Sequence, residues 1–394
     1  MKTSIRDLDL KGKRVLLRVD FNVPLNDNGV ITDTTRITEA LPTINYILKQ
    51  GAKLVVMSHL GRPEGKVDLK YSLLPVARKL IELLLNKVYF ATDTIGPDAK
   101  AKAAKLKPGE LLLLENLRFS PDEEENAPDF AMELSKFGEI YVDDAFGTAH
   151  RKHASNYGVA KLLPNAIGLL MEKELKNITG TIKNPNHPFI AIIGGAKIKD
   201  KIKLTEHLIE KADCILIGGG MSYTFLKAKG LNIGKSLVDE ENVQFAKEMI
   251  DYADKLGKKL LLPVDNVCAT LLSETAKTKI FRSDKILDNY GCYDIGPKTI
   301  KQYVKEIKKA ETIIWNGPMG VFEFKNFSKG TNKIAKAVAN NKGKTIVGGG
   351  DSVAAIKNLK LERKISHIST GGGASLKLME GTSLPAIDII SDKE

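Results

Sequence analysis

The 394-residue chain has only three cysteines, Cys214, Cys268 and Cys292, far apart and odd in number. No disulfide framework or CxxC metal site is written in that spacing, and three free thiols are expected. The expected compartment is a reducing cytoplasm. No apolar run approaches the roughly 20 residues a membrane span needs. Met1–Leu10 lacks the cationic-then-apolar pattern of an export signal, so none is expected. Aromatic residues make up 6% of the chain, and no Lys/Arg-rich block occurs. Both facts count against a nucleic-acid binder, although the net charge of +12 asks for an anionic partner. No GxGxxG follows a strand, and no GxSxG, HExxH or protein-kinase motif set is present. Gly230-Leu-Asn-Ile-Gly-Lys-Ser236 is one residue short of a Walker A loop.

Arginine is scarce where lysine is not. Eight of the ten arginines precede residue 152, leaving Arg282 and Arg363. Arginine presents a planar fork that grips carboxylate or phosphate in two places, which lysine cannot do. Arg6, Arg14 and Arg78 read as surface ion pairs. Short β-branched or leucine-rich runs alternate with amphipathic stretches throughout. Strands are predicted at Arg14–Val19, Lys53–Met57, Leu111–Leu114 and Ile140–Val142. Six more follow at Phe189–Ile193, Cys214–Ile217, Lys259–Leu262, Thr312–Trp315, Thr345–Val347 and His367–Ser369. Helices fall between, among them Thr34–Gln50, Ser72–Leu85, Asp129–Phe137, Asp200–Lys211 and Asn242–Lys255. This rhythm predicts parallel sheets covered by helices on both faces. Met171–Asn177 reads as a helix, and the polar, Pro- and Gly-bearing stretch from Thr179 to Pro188 as a linker.

Ligands of open α/β sheets bind beyond the carboxyl ends of the strands. In the first half those ends deliver Arg18, His59, Arg62, Arg118, His150, Arg151 and His153, with Arg36 able to return to the same edge. Such a cluster is costly unless carboxylates or an anion neutralise it, and Asp20, Asp143 and Asp144 are at hand. The HxxH pair His150 and His153 has no third metal ligand pattern. In the second half the ends are glycine-rich: Gly194-Gly195-Ala-Lys197, Gly218–Gly220, Gly348-Gly349-Gly350-Asp351-Ser352 and Gly371–Gly373. A single Gly triplet is a tight turn; several together suit a polyphosphate lying on main-chain N–H groups. Lys197 and Lys201 share one face if a helix starts after Gly195. Asp351 suits Mg²⁺ carried by a nucleotide.

These segments resemble the motifs of the phosphoglycerate kinase family. The matching stretches are Arg-Val-Asp-Phe-Asn-Val-Pro (18–24), Ser-His-Leu-Gly-Arg-Pro (58–63), Glu-Asn-Leu-Arg-Phe (115–119) and Asp-Ala-Phe-Gly-Thr-Ala-His-Arg (144–151). Gly-Gly-Ala-Lys (194–197), Leu-Pro-Val-Asp (262–265), Asp-Ile-Gly-Pro (294–297), Trp-Asn-Gly-Pro-Met-Gly-Val-Phe-Glu (315–323) and Gly-Gly-Gly-Asp-Ser (348–352) complete the series, in family order. The resemblance implies two Rossmann-like three-layer αβα domains, with parallel sheets facing across a hinged cleft. It implies an acid-substrate domain (1–170), a hinge helix and linker (171–188), a nucleotide domain (189–375) and a tail (376–394) returning to the first domain. It implies 3-phosphoglycerate or 1,3-bisphosphoglycerate on Asp20, Phe21, Asn22, Arg36, His59, Leu60, Gly61, Arg62, Arg118 and Arg151. ADP or ATP with Mg²⁺ is implied on Gly195, Lys197, Lys201, Glu323, Gly350, Asp351, Ser352 and Val353; a further position calling for glycine is Cys292 here. Glu323 takes the ribose, Lys201 the phosphates and Asp351 the metal. Arg36, Lys197 and Gly373 are the catalytic candidates. A cytoplasmic monomer with no nucleic-acid or membrane partner is implied. The chain departs from the family at Lys377, where Glu is usual, and Asn266 and Cys268 read as structural.

Overall fold

The computed structural model describes residues 2–393. The chain forms two compact units, Met1–Leu175 with Ser383–Glu394, and Lys176–Thr382.

The first unit is built on six parallel strands: β1 (Arg14–Arg18), β2 (Lys53–Met57), β3 (Val88–Phe90), β4 (Leu111–Leu113), β5 (Ile140–Asp143) and β6 (Asn165–Ile167). Their order is β3-β4-β2-β1-β5-β6. The central strands are nearly continuous apolar runs because helices cover both faces and leave no side for water. Val15, Leu17, Leu54, Val56, Leu111, Leu113 and Val142 pack with Ile37, Ile44 and Ile47 of the helix Thr35–Lys49 and with Val76 and Leu80 of the helix Leu74–Leu83. The strands β3 and β6 were not expected. Each is three residues long, at a sheet edge, and pairs with one neighbour, so neither carries a readable period. The tail is stitched to this unit by Thr3 N–H to Ser391 O (2.9 Å), Ser391 N–H to Asn165 Oδ1 (2.8 Å) and Ala386 N–H to Ala149 O (3.1 Å).

The second unit holds another six parallel strands: β7 (Phe189–Ile193), β8 (Cys214–Ile217), β9 (Lys259–Leu261), β13 (Thr312–Asn316), β14 (Lys344–Gly348) and β15 (His367–Ile368). Their order is β15-β14-β13-β7-β8-β9. Every residue of β7 and β13 is buried, around Trp315. Beside this sheet lies an unexpected antiparallel one, ordered β11-β10-β12, from β10 (Asp265–Ala269), β11 (Lys279–Arg282) and β12 (Gly291–Ile295).

That small sheet corrects the expectation of three free thiols. Cys268 and Cys292 are register partners on β10 and β12 and form a disulfide, their Cα atoms 3.9 Å apart. Strand pairing, which sequence separation does not reveal, brings them together. Cys214 remains a free, buried thiol, and burial pushes it up to about 12.

The expected helix Met171–Asn177 is longer, running Leu169–Lys183. Met171, Ile178 and Ile182 are buried at helical spacing, so the apolar face continues past the polar residues read as linker. Among the surface arginines, Arg6 pairs with Glu172 (3.5 Å), but Arg14 donates to the Lys136 carbonyl (3.0 Å) and Arg78 has no ion pair among the described residues.

Candidate active site

In the first unit, the chain leaving β1 turns at Asp20–Asn22. The Asn22 N–H donates to Asp20 Oδ1 (3.1 Å), while Asn22 Oδ1 accepts from Gly61 N–H (2.8 Å), tying the end of β1 to the end of β2. The Phe21 ring is fully buried, and its N–H donates to Ser58 Oγ (2.8 Å). Gly61 has φ +63° and lies against the Tyr71 ring, where a Cβ would collide. Asp20 forms an ion pair with Arg36. Gly147, from the turn after β5, packs so closely on Asp20 that a Cβ there would strike the carboxylate. Burial raises the Asp20 carboxyl, but the His59 ring, Arg36, Arg18 and the Asn22 N–H together outweigh it and hold the group below its usual range.

His59 is 3% exposed, and burial drives its imidazole well below its ordinary value, with Arg18, Arg118 and Arg36 adding to the fall against Asp20. Arg118 donates to the Gly61 carbonyl (2.9 Å) and lies 3.3 Å from Glu124, whose same oxygen is 3.8 Å from Arg151. Leu60 is buried and bonded through both its N–H (3.1 Å) and C=O (2.7 Å) to the Asn116 side chain. Arg62 is exposed and has no ion pair among the described residues. Asp20, Asn22, Arg36, Gly61 and Arg118 therefore belong to one bonded network, joined to Arg151 through Glu124, and the His59 carbonyl is tied in by the Ser58 hydroxyl that also receives the Phe21 N–H. Asn116 was missed. It is fully buried and braces Leu60, Tyr71 and Arg118 by four hydrogen bonds, a role only the folded chain reveals.

In the second unit the glycine-rich turns interlock. Gly194 N–H donates to Asn316 O, Gly195 N–H to Pro318 O, Gly219 N–H to Met319 O and Met221 N–H to Gly195 O, all within 2.9–3.1 Å. Gly219 has φ +68°, and a Cβ there would lie 2.6 Å from Gly195 O, so only glycine fits. The Trp315 indole donates to Gly317 O (2.7 Å), and Ser352 Oγ accepts from Gly317 N–H (2.6 Å). Ser352 thus braces the loop with its hydroxyl and is fully buried. Gly350 opens the helix Gly350–Asn358, with Asp351 exposed in its first turn and Val353 half-buried. Gly373 opens a second helix, Gly373–Met379, whose Ser375 and Met379 flank Gly348.

The helix expected from Asp200 begins at Ile202, after a tight turn over Ile198–Lys201. Lys197 is extended, so it and Lys201 do not share a helical face as expected. The fully buried Ile198 draws the chain inward between them. Lys197 is exposed without an ion pair among the described residues. Lys201 reaches Asn316 Oδ1, and burial lowers its amine to about 8, against the opposing pull of Asp351, Asp200 and Glu380. Glu323 is exposed, on a turn fixed by Val321 N–H to Tyr293 O (2.8 Å). Cys292 sits one residue earlier on β12, in the disulfide. Lys377 pairs with Glu380 (3.2 Å), the residue that caps the end of its own helix.

No group of three or more His, Cys, Asp or Glu suited to a metal occurs among the described residues. A lone exposed carboxylate such as Asp351 fits a Mg²⁺ ion that arrives with phosphates and water, and not a resident metal cage.

The phosphoglycerate kinase family model matches residues 5–382. A phosphoglycerate kinase of Chloroflexus aggregans is 54% identical over 398 residues, covering 100% of both chains. One from Clostridium kluyveri is 51% identical and covers 100% of this chain and 99% of that one. Among solved structures, phosphoglycerate kinase from Coxiella burnetii has a TM-score of 0.91 and 42% identity, over 99% of this chain and 98% of that one. The enzyme from Pyrococcus horikoshii has a TM-score of 0.79 and 35% identity, over 98% of each. With the family model matching nearly the whole chain and end-to-end relatives at about half identity, on a fold of two units each built around a six-stranded parallel sheet, the chain belongs to the phosphoglycerate kinase family.

Proposed function

We propose that the first unit takes the acid substrate, 3-phosphoglycerate or 1,3-bisphosphoglycerate, on Asp20, Asn22, Arg36, His59, Arg62, Arg118 and Arg151, lined by Phe21, Leu60 and Gly61. The second unit takes ADP or ATP on Gly195, Lys197, Lys201, Glu323, Gly350, Asp351, Ser352 and Val353. The observation that carries this reading is the convergence of Asn22, Arg36, His59 and Arg118 on Asp20 and Gly61 at the carboxyl ends of β1, β2 and β4.

The family reaction moves a phosphoryl group between an acyl phosphate and ADP. In the ATP-consuming direction the acceptor is a carboxylate, already ionised at neutral pH, so no general base is needed. Catalysis comes from positioning and from charge stabilisation. Arg36 and Lys197 neutralise the oxygens of the transferring group, and the N–H of Gly373 adds a main-chain donor. Glu323 holds the ribose hydroxyls. Asp351 holds the Mg²⁺ of the nucleotide, and that ion when bound supplies further neutralisation of the phosphates. Lys201 completes the phosphate cradle.

With acid and nucleotide on different units, transfer requires a closing motion that also keeps water from the acyl phosphate. The segment 171–188 and the tail are the hinge in this reading, and the enzyme works as a cytoplasmic monomer. The deciding experiment is a coupled assay for ATP from 1,3-bisphosphoglycerate and MgADP. No ATP above the uncatalysed background would end the reading. Small-angle scattering with both substrates should show compaction, and unchanged dimensions would remove the closure.

A further inference from the structure

Beneath the cationic edge of the first unit runs a buried polar chain to which the transfer chemistry gives no role. Glu123, on the turn Pro121–Glu123, is wholly buried. Its carboxylate accepts from the Ser155 hydroxyl (2.6 Å) and from the Ser155 N–H (3.0 Å). The Ser155 oxygen accepts in turn from Arg18 Nε (2.8 Å). Arg18 is fully buried at the end of β1 and also donates to the Val19 carbonyl. Its remaining nitrogen, Nη2, meets His59 Nδ1 at 3.2 Å. Glu123 Oε1 lies 4.0 Å from that guanidinium and 3.8 Å from His153 Nδ1.

The direction of each bond follows from chemistry. A guanidinium only donates and stays charged. His59 Nδ1 must therefore accept, because a proton there would set two N–H groups against each other. The imidazole is then neutral with its proton on Nε2. The Ser155 hydroxyl, receiving from Arg18, must give its own proton to Glu123. The relay has one consistent polarity from the buried carboxylate to the histidine ring.

We propose that Glu123, Ser155 and Arg18 are positioning residues that lock His59 as a neutral Nε2–H donor, so that it offers the acid substrate a directed hydrogen bond instead of another positive charge. The ligand half of this rests on the assignment of His59 to the acid-substrate site. The lock has a physical rationale. Arg18, Arg36 and Arg118 already face His59, with Asp20 as the carboxylate beside them. A further buried cation would repel these three before any anion arrives. A neutral donor adds recognition without that repulsion.

The test uses the full chain labelled with ¹⁵N-histidine and long-range proton–nitrogen NMR, with His59 assigned by loss of its signals in His59→Gln. The expected spectrum shows a neutral Nε2–H ring that does not titrate between about pH 5.5 and 8. A charged or Nδ1–H ring in that range overturns the lock, with no variant needed. Glu123→Gln keeps the side-chain shape, and Ser155→Ala removes only the hydroxyl. Each should free Arg18 from its fixed geometry, let the still neutral His59 ring populate the Nδ1–H tautomer, and raise the KM for 3-phosphoglycerate about tenfold, leaving that for MgADP unchanged. Folded variants whose His59 stays wholly in the Nε2–H tautomer would overturn the roles of Glu123 and Ser155. Saturating 3-phosphoglycerate should shift the His59 Nε2 resonance. A correct tautomer with no shift would overturn the ligand half and the acid-site assignment while leaving the lock intact.

Discussion

The two units present positive potential in different materials. In the first, side chains do it: Arg18, Arg36, Arg118 and Arg151 cluster around Asp20, Glu123 and Glu124, and each buried cation has a carboxylate, hydroxyl or carbonyl to hold it. In the second, backbone does it. The turns at Gly194–Gly195, Gly218–Gly219 and Gly317–Met319 are pressed together by main-chain bonds, and Lys197 and Lys201 stand beside them. Fixed charge lets a site be wide and tolerant of small shifts, but demands internal counter-charges. Main-chain amides need no counter-charge, but they tolerate no added atom. The first unit should therefore fail by neutralisation and the second by crowding.

The largest expected effect would sharpen that contrast where the two materials share one task. Arg36→Ala and Lys197→Ala should each lower kcat by roughly 10²–10³, with circular dichroism unchanged, since the proposed function assigns both to the charge that develops in the transfer. Near-normal turnover in either variant would remove that residue from the chemistry. Next comes crowding. Gly219→Ala puts a methyl 2.6 Å from Gly195 O at positive φ, and thermal unfolding should report a loss of about 3 kcal/mol. An unchanged Tm would mean that the interlocked turns yield freely.

Arg62→Ala is smaller. Arg62 is exposed and unpaired by any acid among the described residues, so its loss should raise the KM for the acid substrate about tenfold and spare the fold. A change confined to the nucleotide KM would place Arg62 on the wrong ligand. The finest effect concerns protons. With Lys201 at about 8 in the free protein, phosphate contact should raise it. MgADP binding near pH 8 should then take up about half a proton, and affinity should fall as pH rises through that value. Calorimetry in buffers of different ionisation enthalpy measures the uptake; none at all would separate Lys201 from the phosphates.

Much of this was legible in the chain. The runs Arg14–Arg18, Lys53–Met57 and Phe189–Ile193 appear where apolar sequence predicts buried parallel strands, because covered strands have no polar face to obscure the signal. The strand ends were legible too, since Arg18 closes the first of these runs, His59 stands two residues past the second and Gly194 directly follows the third. The short edge strands β3 and β6 were not, having three residues and a single neighbour each. Nor was the helical continuation to Lys183, where Gly180 sits with open space around it and costs the helix only about 1 kcal/mol.

The sequence by itself settled the alternation of strands and helices, the family, and which residue types stand at the strand ends, because these depend on local period and on neighbours in the chain. Tertiary structure alone decided what those residues do to one another. It closed Cys268 onto Cys292, seated Asn116 beneath Leu60 and Arg118, and set Glu123 behind Ser155, Arg18 and His59. Such pairings span 24 positions for Cys268–Cys292 and 137 for Arg18–Ser155. Contact at that range is fixed by how sheets and turns pack, and no local pattern of side chains records it.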